Sequence, residues 1–182
     1  LLNVHQDKLV VEEKGIFSIE NFLHARRLMY WQVYLHKTSV SAERMMVNII
    51  KRAQYICQAG EELHCSEALQ TLLKKNHTLA DFSGNKSALL EVFGQLDDND
   101  IWGAIKLWRD HRDEILSGLC NRLLIRELFQ IRLTADPIHK SEIEKIRMQV
   151  HQSFGVLRKD ASYLFSFGTV SNEAYVTGGQ AI

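Results

Sequence analysis

The chain has 182 residues, of which 46% are hydrophobic and 24% charged, a composition typical of a globular domain with a real core. Lysine plus arginine equals aspartate plus glutamate at 22 each, so no net charge attracts nucleic acid or an anionic membrane, and any anion site has to be local. No apolar run approaches the roughly 18 residues that span a bilayer. We therefore predict a cytoplasmic protein with no membrane contact and no specific nucleic-acid partner.

The predicted elements begin with a hairpin in LNVHQDKLVV, where alternating residues flank a Gln-Asp turn. Ser18 then caps a predicted helix over 18–37, and Ser41 caps a second over 41–58. Helical periodicity predicts further helices beyond these, over residues 66–75, 86–93, 101–108 and 141–152 and a long one over 112–132. The chain is therefore predicted to be mainly α, with a helical bundle body and a small β element at its N-terminus.

The end of the chain has a different pattern. SYLFSFGTVSNEAYV, residues 162–176, is aromatic and β-branched with turn residues inside it, which predicts two strands. Pro137 is the single proline of the chain, and it divides a helical part, 1–136, from an α+β tail, 137–182. Because the chain starts without Met and stops just after a Gly-Gly turn signal, we expect it to be a piece of a longer protein.

The first long helix contains a positively charged aromatic segment, HARRLMYWQVYLHK, residues 24–37. At 100° per residue, Arg26, Tyr30 and Tyr34 fall on one face, with Lys37 beside them. A guanidinium in so apolar a helix needs an acid, a carbonyl or an anionic ligand. Two interpretations are open: the face binds a phosphorylated small molecule, or its cations pair with acids elsewhere in the chain, such as Glu43, Glu61 or Glu62.

Two acidic segments resemble metal sites but do not fit them. An EF-hand loop starting at Asp98 would place Trp102 and Arg109 where oxygen ligands are needed, so helix capping is the better interpretation of Asp97 to Asp100. His111 and Asp113, two residues apart on a helix, point about 200° apart. The sequence also contains no HExxH, HxxxxHD or cysteine–histidine zinc spacing. We therefore predict no catalytic residue and no metal ligand in this chain.

KGIFSIENFLHARRLMYWQVYLHK, residues 14–37, resembles the HD-domain deoxynucleoside triphosphate triphosphohydrolases, the family of dGTPase-like phosphohydrolases. The resemblance is carried by Arg26 followed by Tyr34, His36 and Lys37. It continues through LDDNDIWGAIKLW, ILSGLCNRLLIRELF and SNEAYVTGGQAI, so it covers most of the chain. The chain would then be the C-terminal part of such an enzyme, without its HD motif.

The resemblance implies roles for the residues of the first helix. The arginine that matches Arg26 contacts the substrate triphosphate in that family, and the tyrosine that matches Tyr34 lines the deoxyribose and base pocket. We add Tyr30 to the substrate-binding set because it shares their face. His36 and Lys37 match a pair near a regulatory nucleotide site. Leu35 stands where a base-reading glutamine can occur, so guanine preference is not implied.

The resemblance also implies chemistry that this chain does not supply. Family members use a divalent metal to convert a deoxynucleoside triphosphate into a deoxynucleoside and triphosphate, and they form homo-oligomers. The metal ligands would lie outside residues 1–182, so we expect this chain alone to be inactive and to bind no cofactor. Two alternatives stay open: a noncatalytic helical interaction domain, and a regulatory nucleotide-binding module that uses His36 and Lys37.

Overall fold

The computed structural model describes residues 2–83, 88–134 and 136–169. These residues form two compact units. The first unit runs to Val40 and includes Gly168 and Thr169, and the second runs from Ser41 to Phe167. The described residues are mainly α-helical with one small sheet, as predicted. The domain boundary predicted at residue 137 stays a prediction.

The first unit opens with the predicted hairpin. Strands β1 (Leu2–His5) and β2 (Lys8–Val11) pair antiparallel, with Leu2 opposite Val11 and His5 opposite Lys8. Gln6 and Asp7 connect them with φ angles of 49° and 56°. Two central residues with positive φ define a type I′ turn, whose twist matches that of the paired strands.

Helix α1 (Ile16–Met29) follows a 3₁₀ turn at Glu13–Gly15. A π-helical turn, Tyr30–Tyr34, continues it and is closed by a bond of 2.8 Å from the Leu35 N–H to the Tyr30 carbonyl. The prediction of one regular helix over 18–37 is therefore wrong at both ends. Gly15, not Ser18, precedes the first helical residue, and Lys37 already belongs to the next helix.

Six further α-helices occur in the described residues. They are α2 (Lys37–Gln58), α3 (Glu67–Leu73), α4 (Ala88–Gly94), α5 (Asp98–Trp108), α6 (Glu114–Leu124) and α7 (Lys140–Phe154). Helix α2 starts in the first unit and continues into the second. No helix among the described residues is long and apolar enough to cross a membrane.

The core of the second unit forms where one face of α2 meets α5 and α6. Met45 and Ile49 of α2 are fully buried with Ile105 of α5 and Leu116 of α6. Trp108 is 1% exposed, and its indole N–H donates to the His64 carbonyl at 3.0 Å. This bond satisfies the one polar group of a large buried ring. The core therefore fixes α2 rotationally and determines which of its side chains face inward.

Two predicted helix caps are confirmed. The Asp97 carboxylate accepts from the Asn99 and Asp100 N–H groups, and Asp100 accepts from the Asp97 N–H, which completes a capping box at the start of α5. Ser66 caps α3, with its hydroxyl accepting from the Leu69 N–H. The predicted capping role of Asp97 is therefore correct.

Three other expectations are wrong. Ser41 lies inside α2, 3% exposed, and donates its hydroxyl to the Phe129 carbonyl at 2.8 Å. The helix predicted over 112–132 ends at Leu124, because Arg126 takes a left-handed conformation with φ of 61°. His139, not Ser141, occupies the N-cap position of α7, and its side chain makes no capping hydrogen bond.

The first strand predicted in the tail is also wrong. Asp160–Tyr163 forms a 3₁₀ turn, and no strand follows it as far as Thr169. The physical reason is local: the Asn48 side-chain amide donates to the Tyr163 carbonyl at 2.9 Å and to the Ser166 hydroxyl at 3.1 Å. This segment thus bonds to side chains of α2 instead of a neighbouring strand. The second predicted strand lies outside the described residues.

Candidate functional site

The aromatic face predicted from the sequence is present in the first unit. The guanidinium carbon of Arg26 lies 5.5 Å from the centre of the Tyr30 ring, and the Tyr30 and Tyr34 rings are 5.2 Å apart. We call these three residues the Arg26 stripe. The contacts join α1 to the π-helical turn, a rare geometry that often occurs at functional sites. The structure therefore brings the predicted substrate-binding residues together, although their role with a ligand stays a prediction.

The charge of Arg26 has an aromatic neighbour but no acidic one within the part of the chain that the structure describes. None of the ion pairs formed there includes Arg26. The side chain is half-buried, and Tyr34 is 56% exposed. A cation held against a ring face keeps its N–H groups available for oxygen acceptors. This arrangement suits a phosphate-binding side chain.

His36 and Lys37 occupy a different position from the one predicted. The helix is interrupted after Tyr34, and His36 stands at the start of α2, where its carbonyl accepts from the Val40 N–H and its Nδ1 accepts from the Thr38 N–H. Lys37 is the first residue of α2 and is exposed. The two residues therefore do not continue the helix that carries Arg26. Their predicted role in binding a regulatory nucleotide remains untested.

A second arginine, Arg52, lies in the second unit with very different surroundings. Its side chain is bonded to two carboxylates: Nη2 lies 2.7 Å from Asp113 Oδ2, and Nη1 lies 2.8 Å from Asp160 Oδ1. Two tyrosine rings also lie against the guanidinium, Tyr55 at 5.0 Å and Tyr163 at 5.1 Å. We call these five residues the Arg52 network.

The protonation of the Arg52 network follows from its contacts. Burial lowers the pKa of Arg52, but the hydrogen bond and charge of Asp113, with those of Asp160, outweigh it and raise the pKa above its ordinary value. Burial raises the pKa of Asp113, but hydrogen bonds from Arg52 and the Leu116 N–H, together with the Arg52 charge, leave it below its ordinary value. Arg52 and Asp113 are thus both charged at neutral pH.

Sequence reasoning missed the Arg52 network, although a signal for part of it was present. At 100° per residue, Ser41, Asn48 and Arg52 lie within about 40° of one another on α2. Met45 and Ile56 share this face, so three polar residues interrupt an otherwise apolar stripe. Buried polar groups at core positions need partners. That signal indicates that partners exist, but it does not identify Asp113 or Asp160, which lie 61 and 108 residues away in the chain.

A metal site of the kind that the resemblance implies is not formed by the described residues. No group of three histidine, cysteine, aspartate or glutamate side chains there could hold a metal ion. The Arg52 network contains two carboxylates, but both are bonded to the guanidinium. A metal centre of the HD type does not fit the residues described.

Comparisons with known proteins agree with this architecture. Residues 1–72 match the family described as the HD associated region. YwfO, an uncharacterized protein of Bacillus subtilis, is 32% identical over 130 residues, which cover 71% of this chain and 28% of YwfO. A phosphohydrolase of Bacteroides thetaiotaomicron, known from its crystal structure, is 46% identical with a TM-score of 0.82, over 89% of this chain and 40% of that one.

These matches support the resemblance to HD-domain phosphohydrolases. The family match covers the Arg26 stripe, which lies inside residues 1–72. The chain spans well under half the length of either relative.

Proposed function

We propose that this chain forms the substrate-lining part of a longer, metal-dependent HD-domain phosphohydrolase that acts on deoxynucleoside triphosphates. The reaction adds water across the bond between the 5′ oxygen and the α-phosphorus, which yields a deoxynucleoside and triphosphate. The observation that carries the proposal is the Arg26 stripe, a guanidinium held by aromatic rings with no carboxylate partner among the described residues, within the HD-associated match.

The contribution of this chain is binding and orientation. Arg26 places a planar fork of N–H donors against triphosphate oxygens, a geometry that a lysine cannot reproduce. Tyr30 packs against the guanidinium and limits its motion. Tyr34, half-exposed and next to Tyr30, supplies a flat wall for the deoxyribose and base. A divalent metal, held by ligands outside this chain, would activate the attacking water.

The direct test is the identity of the products. The full-length protein is incubated with each of the four deoxynucleoside triphosphates and a divalent metal, and the released anion is identified by ion chromatography. We expect triphosphate together with the free deoxynucleoside. Release of pyrophosphate and a deoxynucleoside monophosphate, or no turnover of any of the four substrates, would contradict the proposal.

Variants of Tyr34 test its proposed contact with the deoxyribose and base. Tyr34→Ala should raise the KM, because the sugar and base lose a stacking surface, while Tyr34→Phe should keep most of the affinity. Trp31→Ala is a matched control, since Trp31 is an equally exposed aromatic residue of the same turn outside the stripe. Equal effects of Tyr34→Ala and Trp31→Ala would show that the turn is needed only as a whole.

A further inference from the structure

A polar groove in the second unit has no role in the proposed function. Its volume is about 420 Å³, within the usual range for small-molecule sites. One wall is the face of α2 that carries Asn48, Lys51 and Gln58. Ser162 and Tyr163 of the 3₁₀ turn form another wall, and Asn76 follows α3. Every lining residue belongs to the second unit.

The lining is unusual in its chemistry. Among the described residues it comprises four carboxamide residues, one serine, two tyrosines and one lysine, namely Asn48, Gln54, Gln58, Asn76, Ser162, Tyr55, Tyr163 and Lys51. No carboxylate and no aliphatic side chain is among them. Carboxamides both donate and accept hydrogen bonds, so they match hydroxyl groups well. Asn48 already donates to Tyr163 and Ser166, and Gln58 donates to Asn76 Oδ1 at 3.2 Å. An apolar peptide or lipid finds little to bury here, whereas a polyhydroxylated molecule can bond Gln54 and the remaining polar atoms of Gln58.

The two tyrosines belong to the Arg52 network, in which the guanidinium lies against both rings. Arg52 lies 5.0 Å from the Tyr55 ring centre and 5.1 Å from that of Tyr163, and its own position is fixed by Asp113 and Asp160. Asn48 also bonds the Tyr163 carbonyl at 2.9 Å. Ring walls that are positioned before binding cost little further ordering when a ligand arrives.

The charge at the groove favours an anion. Lys51 lines it and is exposed, and Lys159 Nζ lies 5.9 Å from the Tyr55 ring centre. Asp113 and Asp160, the carboxylates of the adjacent network, are both bonded to Arg52. Neither lysine forms an ion pair with a residue that the structure describes, so both are available to a small phosphate group.

We propose that this groove binds a phosphorylated sugar, either free or as part of a nucleotide. Lys51 contacts the phosphate, and the ring of Tyr163 packs against the sugar. The hydroxyls bond the carboxamide of Gln54 and the carbonyl oxygen of Gln58, whose amide donates to Asn76. The groove shares no residue with the Arg26 stripe. Binding of a phosphorylated sugar in this groove does not depend on the proposed phosphohydrolase activity.

The test is isothermal titration of the full-length protein with ribose 5-phosphate, ribose, inorganic phosphate and adenosine monophosphate. We expect ribose 5-phosphate to bind more tightly than ribose or phosphate alone. Lys51→Ala should weaken that binding by about tenfold, the loss expected for one charged hydrogen bond. Gln58→Leu should weaken both ribose and ribose 5-phosphate. Lys106→Ala, which removes an exposed lysine of α5 outside the groove, is the matched control.

The outcomes are distinct. If adenosine monophosphate binds more tightly than ribose 5-phosphate and is equally sensitive to Lys51→Ala, the ligand is a nucleotide. If it binds more weakly than ribose 5-phosphate, the ligand is the free sugar phosphate. Failure of ribose 5-phosphate to bind at millimolar concentration overturns the proposal. So does binding that is insensitive to both Lys51→Ala and Gln58→Leu, provided that circular dichroism shows each variant to be folded.

Discussion

Arg26 and Arg52 are both arginines on helices, yet their surroundings are opposite. Arg52 is 8% exposed and has two carboxylate partners. Arg26 is half-buried, lies against one tyrosine ring and has no ion pair among the described residues. Both make cation–π contacts, so contact with an aromatic ring does not distinguish them.

The difference lies in what balances the charge. A guanidinium that is bonded to two carboxylates has few donors left for a ligand, and it holds three segments of the second unit together. A guanidinium that lacks such partners is available to an anion from outside. We therefore expect substitutions of Arg52 to affect folding, and substitutions of Arg26 to affect binding.

The largest expected effect is that of Arg52→Ala. It leaves Asp113 and Asp160 without their cation, and removing one partner of a buried ion pair typically costs about 3 to 5 kcal/mol of unfolding free energy. Urea unfolding followed by circular dichroism measures it. Arg112→Ala is the control, because Arg112 also pairs with an acid, Glu61, but is largely exposed and should contribute little. Equal losses of unfolding free energy in Arg52→Ala and Arg112→Ala would contradict the structural role of Arg52.

Ser41→Asp tests the inward face of α2. At a helix N-cap, aspartate and serine are almost interchangeable, but Ser41 is buried and donates to the Phe129 carbonyl. A carboxylate cannot donate there, so we expect a loss of at least about 2 kcal/mol. Ser66→Asp, at a true N-cap, should leave thermal stability nearly unchanged. If Ser41→Asp is tolerated equally well, Ser41 is not part of the core.

Arg26→Ala should reduce activity in the full-length protein without changing its stability. Loss of a charged hydrogen bond to phosphate is worth about 1.5 to 3 kcal/mol, which lowers kcat/KM by roughly 10- to 150-fold. Arg26→Lys should restore part of this, because it keeps the charge but not the fork. Arg27→Ala, on the same helix, is the control for activity. If Arg26→Ala destabilises the protein while the molecules that remain folded are fully active, the role of Arg26 is structural.

The smallest expected effect is the dependence of stability on acid. Because the pKa of Asp113 is depressed in the folded chain, its contribution is complete above the unfolded value of about 3.9 and is lost as the pH falls through the folded value. Unfolding free energy should therefore fall below about pH 4. Asp113→Asn should reduce that slope. An unchanged slope would mean that Asp113 is not held by Arg52.

Much of the fold could be predicted because its signals are local. The hairpin follows from alternation around Gln6 and Asp7, and the capping box follows from Asp97 and Asp100 three residues apart. The cap predicted at Ser41 failed, because serine is also suited to a buried hydrogen bond and only the Phe129 carbonyl shows which role applies. The π turn at Tyr30–Tyr34 has no sequence signal that we can identify.

The candidate site also has a part that could be predicted from the sequence and a part that could not. The Arg26 stripe was predictable because its residues are four apart on one helix, so helical geometry alone brings them together. The Arg52 network was not, because Asp113 and Asp160 reach Arg52 from distant parts of the chain. Contacts within a helix follow from its periodicity, whereas contacts between helices require the packed structure.

Calorimetric titration with inorganic triphosphate tests the role of Arg26 most directly. Triphosphate is the product that the proposal assigns and carries neither sugar nor base, so its affinity reports the phosphate contact alone. We predict that Arg26→Ala weakens triphosphate binding to the full-length protein by about tenfold or more, while Arg27→Ala binds as the wild type does. Unchanged triphosphate affinity in a folded Arg26→Ala variant would contradict the assignment of Arg26 to phosphate.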